Sequence, residues 1–292
     1  MKKKVIILLI VIGVFFISIV ACSKDNSFIS EDEMKEKITK NMEAGIIVPE
    51  DQEVFDFAVQ LTDHLRSTDP QLRDEMIMAL FYSGGIYKEL NNNEISKITE
   101  RLMDDDHLFY KIDQEDEDAV FNRSFSLLTI DSIIRYCNAN DTEILSQKKL
   151  QKIISRVIDY GEKESDLRGF VEGKGYAHSV AHLGDTIKDL SRHMTDEDIE
   201  KSIKLIFTKV NVNNYMYVNG EGGRLAEAVA AMMKNNLIDD GTVAAYLNDM
   251  PIDKTNPVLV NNQNQFLMNL KYMVNDKKKF PKTQDYIDMN GI

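Results

Sequence analysis

Three of the five histidines in this chain fall within one stretch, "GFVEGKGYAHSVAHLGDTIKDLSRH", residues 169–193. His178, His182 and Asp185 follow one another at spacings of four and three. At about 100° per residue, with His178 at zero, His182 falls near 40°, Asp185 near −20° and Asp189 near 20°. The four make one narrow polar ridge. Two imidazoles a turn apart can share a metal ion, and a carboxylate on the next turn completes a facial set that suits zinc. The same groups suit general acid–base work. Ser179 and Val180 follow His178, so the glutamate base of an HExxH zinc motif is missing. The opposing reading is a polar face only. Tyr176, Val180, Leu183, Ile187 and Leu190 then form the core side, and Ala177, Ala181 and Gly184 form a small stripe that lets a neighbouring helix approach. Gly173 and Gly175 read as freedom before a helix start, not as a phosphate loop.

Three arginines bear on the same question: Arg123 in "FNRSFSLL", Arg168 in "DLRG" and Arg224 in "EGGRLAEAV". Each can pair with an acid or cap a neighbouring helix. If all three turn to the histidine ridge, they line a pocket for an anion or carboxylate.

The elements that must position these groups are helical. Apolar residues recur at helical spacing and almost nowhere alternate. "DPQLRDEMIMALFYSGG" opens on Asp69 as cap and Pro70 at the first helical position, and closes on Gly84 and Gly85. Asn93 caps a short helix. "EDAVFNRSFSLLTIDSIIRYC" is a long apolar helix ending near Asn138, and the next runs from Asp141 to Gly161. Thr195 with Asp198 three residues on is a variant capping box. "GGRLAEAVAAMMKNNL", "DDGTVAAYLNDM" and "NNQNQFLMNLKYMVND" complete about ten to twelve helices. The fold class is all-α, an α-solenoid of HEAT-like helical hairpins or an α/α helical array.

The N-terminus carries a different signal. Lys2, Lys3 and Lys4 precede an apolar run from Val5 to Ala21, which reads as a secretory signal peptide. Ile19-Val20-Ala21-Cys22 resembles the bacterial lipobox, whose cysteine receives a diacylglyceryl group and becomes the first mature residue. An uncleaved signal anchor is the alternative, and it too leaves the protein at the membrane. Two acyl chains suffice for stable anchoring. The expected organisation is a signal peptide over 1–21, a polar tether and first short helix over 22–44, and one all-helical domain over 45–292. Cys137 alone remains besides Cys22, so the mature domain forms no internal disulfide; Cys137 reads as a small buried hydrophobe. The net charge of −13 becomes −16 once the three signal lysines are gone, which excludes nucleic acid as a partner. Membrane contact is assigned to the lipid on Cys22. The Lys- and Asn-rich, Trp-free composition points to a Gram-positive cell membrane and its extracytoplasmic face.

"QLRDEMIMALFY", "DAVFNRSFSLLTI", "DLRGFVEGKGYAHSVAHLGDTIKDL" and "GGRLAEAV" together resemble an uncharacterised bacterial family, domain of unknown function 2785, over about residues 50–270. Where such relatives read Gly-Trp-Ala-His, this chain has Gly175-Tyr176-Ala177-His178. The resemblance implies an all-helical fold and no particular activity. The leading expectation is a non-enzymatic helical module that binds an extracytoplasmic protein or small molecule, with no cofactor. The alternative is a metal-dependent hydrolase using His178, His182 and Asp185.

Overall fold

The computed structural model describes residues 29–140 and 143–291; the expected signal peptide and the expected lipidation site, Cys22, lie outside them. Thirteen α-helices are found among the described residues. They are α1 (Glu31–Ala44), α2 (Val54–Asp63), α3 (Met78–Tyr82), α4 (Gly85–Glu89), α5 (Asn92–Leu102), α6 (Ala119–Asn140), α7 (Gln147–Lys163), α8 (Ser179–Leu190), α9 (Asp196–Val210), α10 (Glu221–Lys234), α11 (Asp240–Asn248), α12 (Pro257–Met273) and α13 (Pro281–Met289). The chain is essentially all-α, with one small addition. Strands β1 (Phe170–Val171) and β2 (Gly175–Tyr176) pair antiparallel, with Phe170 opposite Tyr176.

Side chains at the helix starts explain most boundaries. Ser30 and Glu33 form a capping box on α1, Asn91 and Glu94 on α5, and Thr195 and Asp198 on α9. Asn91 rather than Asn93 caps α5, because Glu94 stands three residues after Asn91 and completes the reciprocal bond. Ser146 caps α7, so that helix starts at Gln147; Asp141, the expected start, is outside the described residues. Asn256 caps α12 with Pro257 at the first turn. The segment after Pro70 begins as a π-helical turn over Gln71–Ile77 and becomes regular α-helix only at Met78. Such wide turns recur at functional sites.

α6 packs on α8, α8 on α10 and α10 on α12, while α7 packs on α9 and α11 on α13. One buried apolar cluster runs from Met34 in α1 to Ile287 in α13. α6 lies at its centre with sixteen of 22 residues buried, among them Asn122, Arg123, Ser124, Ser126, Thr129, Asp131 and Ser132. Polar groups there must find partners inside the protein. α8 and α10 come unusually close. A Cβ on Gly184 would lie 2.8 Å from the backbone carbon of Arg224, so only glycine fits. No helix among the described residues is long and apolar enough to cross a membrane.

Candidate functional site

The histidine helix starts at Ser179, three residues later than a wheel that includes Tyr176 and Ala177 assumes. His178 is the residue before α8 and sits in the left-handed region, φ 52°, so it does not share the helical wheel. Tyr176 belongs to β2 and is exposed, not on the core side. The cause is the hairpin. Gly173 at φ 74° and Gly175 at φ 78° supply conformations that side chains resist, and they turn the chain back instead of opening the helix. Ala177 N–H then donates to the Gly169 carbonyl at 2.8 Å, and His178 N–H to the Arg168 carbonyl at 3.0 Å.

His182 and Asp185 are on α8 as expected, but they are buried and do not form a solvated ridge. His182 Nδ1 lies 3.2 Å from the Ser124 carbonyl, and its ring stands edge-on to Phe125 at 5.3 Å and to His178 at 5.7 Å. A carbonyl can only accept, so Nδ1 carries the proton and Nε2 the lone pair. Burial, reinforced by His178, pushes the imidazole down to about 3, so His182 is neutral at physiological pH. His178 stacks on Tyr176 at 4.3 Å and directs Nε2–H to the Asn219 carbonyl at 3.2 Å; burial lowers it too. Asp185 accepts from Arg224 at 3.3 Å and from Lys188 at 3.4 Å. One ring nitrogen of each histidine and the Asp185 carboxylate thus have separate protein partners. Among the described residues no three His, Cys, Asp or Glu side chains are grouped so as to hold a metal ion.

The three arginines do not converge. Arg224 alone reaches the ridge, through Asp185. Arg123 is buried, forks onto Glu164 at 2.7 and 2.8 Å, and donates to the Tyr110 carbonyl at 3.0 Å. Arg168 pairs with Asp166 at 2.6 Å and donates to the Glu117 carbonyl. Arg123 and Arg168 instead share a cleft of about 810 Å³ bounded by residues 112–117, 165–168 and 214–215. The condition for one anion pocket, all three arginines turned to the ridge, is not met; each guanidinium pairs with an acid, the other reading the sequence allowed.

Three groups escaped the sequence reading. Phe170 and Tyr176, 52% and 43% exposed, meet edge to face at 5.2 Å and continue the stack of Tyr176 on His178. Asn219 ties this hairpin to the start of α10, since its Oδ1 accepts from Phe170 N–H at 3.3 Å and its carbonyl from His178. Asp131, fully buried in α6, accepts from the Tyr82 hydroxyl at 2.9 Å, and its other oxygen has no partner. Burial first, then Asp189 and Asp185, raise its carboxyl to about 8. An aspartate inside the apolar run "SLLTIDSII" was the available signal for the last.

No curated protein and no solved structure matches the chain. One family profile does, over residues 108–274, from just before α6 to the end of α12. "QLRDEMIMALFY" precedes that span, so the match begins later than the expected residue 50, while it includes the hairpin, α8 and α10. The chain belongs to the family described as "Protein of unknown function (DUF2785)".

Proposed function

We propose that this chain is a lipid-anchored binding module on the outer face of a bacterial cell membrane, and not an enzyme, with the 169–178 hairpin as its recognition surface. Its body is an α-solenoid of HEAT-like hairpins. In support, α6, α8, α10 and α12 lie side by side in order, with α7–α9 and α11–α13 packed alongside. The anchor rests on the lipobox at Cys22.

One observation carries the binding reading. Phe170, Tyr176 and His178 form a continuous aromatic stack, two members of which face solvent, on backbone fixed by Asn219 and by internal hydrogen bonds. Rigid aromatic side chains give contact area at little ordering cost, which is why they dominate protein interfaces. The partner is an extracytoplasmic protein. In a hydrolase using His178, His182 and Asp185, His182 would not serve as the base, since a buried imidazole held near 3 is a poor one at neutral pH.

Photocrosslinking in living cells tests the surface. A benzophenone side chain at position 170 is expected to give one discrete protein adduct, lost when Tyr176→Ala is added. The same residue at position 272, 81% exposed on α12, is expected to give none. Identical adduct patterns from both positions would overturn the reading.

A further inference from the structure

We propose that Arg73 is the positioning residue of the 169–178 hairpin, a part otherwise outside its reach in sequence, and that it acts with Asp74 as a substitute third strand along β2. The proposal rests on the hairpin being the recognition surface only for its biological meaning; the geometry stands without it.

Two strands of two residues each cannot hold themselves together in water. The hairpin is therefore fixed from outside. On the β1 side, Gly169 N–H donates to the Tyr215 hydroxyl at 3.1 Å and Phe170 N–H to Asn219. On the β2 side the contacts come from the π-helical turn about a hundred residues earlier. Arg73 Nη2 donates to the Lys174 carbonyl at 2.8 Å and the Tyr176 carbonyl at 3.4 Å. Asp74 Oδ2 lies 3.5 Å from the Tyr176 N–H. Arg73 and Asp74 are themselves paired, Nε to Oδ1, at 2.7 Å. The backbone of Tyr176 is thus met on both its donor and its acceptor side, as a neighbouring strand would meet it.

Arg73 is in turn held where it must be. It is fully buried, with its guanidinium carbon 4.3 Å from the Phe121 ring centre and 4.4 Å from that of Phe125, one turn apart on α6. Nη1 donates to the Ser67 carbonyl at 2.6 Å. A flat cation between two rings, bonded at both ends, has one orientation. A lysine there keeps the charge but has neither the plane nor the second arm. Gly175 completes the fit. A Cβ at that position would lie 2.6 Å from Pro70 Cβ, 2.8 Å from Asp74 Oδ2 and 3.1 Å from Arg73 Nη2. The bare backbone is what lets β2 close on the pair.

Residue-resolved amide exchange on the full soluble domain tests this without any ligand. Arg73→Lys is expected to raise exchange at Lys174, Tyr176, Ala177 and His178 at least tenfold, while amides in α10 and α12 stay within about twofold. Gly175→Ala, a change in β2 that leaves the Arg73 side chain intact, is expected to give the same local pattern from the opposite side, and it serves alone if Arg73→Lys does not fold. Unchanged hairpin exchange in Gly175→Ala, or a uniform rise across the whole chain in Arg73→Lys, would overturn the assignment. The photocrosslink at position 170 separates the two claims: a loosened hairpin that still gives the full adduct would refute the recognition surface and leave the role of Arg73 standing.

Discussion

Asp131→Asn should stabilise this protein at neutral pH, against the usual outcome for a buried polar substitution. The carboxyl of Asp131 is raised from 3.8 to about 8 by burial and by its neighbours Asp189 and Asp185. The folded state therefore holds a proton that the unfolded state releases near pH 4. Stability contributed by this group is complete below about pH 4 and is lost progressively as pH rises to about 8, at about 1.4 kcal/mol per pH unit. At pH 7 the accumulated cost is about 4 kcal/mol, and beyond pH 8 it levels off near 5–6 kcal/mol. Asparagine has the same shape, keeps an oxygen for the Tyr82 hydroxyl and never ionises. Its amide brings one more unpaired N–H, which costs about 1–2 kcal/mol. The net expectation is a gain of about 2–3 kcal/mol at pH 7 and a loss of about 1–2 kcal/mol at pH 4. Urea unfolding of both proteins from pH 4 to pH 9 measures it, and the two stability curves should cross near pH 5. Parallel curves, or a variant less stable at pH 9, would refute the protonated assignment.

His182→Ala should lower stability by about 2–3 kcal/mol, since it empties a buried site beside Phe125 and strands the Ser124 carbonyl; metal content of the purified domain should be the same before and after. Arg123→Met alone should cost about 3–5 kcal/mol by leaving Glu164 buried without its partner, and adding Glu164→Leu should recover most of it. A chemical-denaturation double-mutant cycle reads that coupling. Cys22→Ala should abolish incorporation of labelled palmitate and leave the precursor uncleaved; equal labelling of both forms would sink the lipobox assignment.

The helices were legible because their signals are local. Thr195 with Asp198 declares a helix start within four residues. The candidate site was less legible because its decisive contacts are not local. A wheel drawn through His178 assumes that the helix already runs there. Only a left-handed His178 and two positive-φ glycines separate helix from hairpin, and strands of two residues have no periodicity to read. Arg224 does meet Asp185, whereas Arg168 turns to Asp166, two residues before it, and Arg123 to an acid that only the fold brings near, Glu164, 41 residues away. The contact between Arg73 and Lys174 spans 101 residues, and nothing in either stretch announces the other.

The central burial of α6 has a consequence for how the molecule comes apart. One side of that helix is closed by the N-terminal third, through Phe121 and Phe125 on Arg73, Thr129 on Met78, and Ser132 on Tyr87. The other is closed by α8, through His182 on Ser124 and Asn138 on the Asp189 carbonyl. Stacked helical repeats ordinarily unzip one unit at a time, each contacting only its neighbours. Here a single helix is shared by both halves, so peeling either half away opens polar groups and aromatic rings at the other's foundation. The span recognised by the family, 108–274, leaves out the N-terminal partners of this helix. Residues 30–107 are therefore expected to unfold together with it, and a single calorimetric transition for the whole domain is the outcome that checks this.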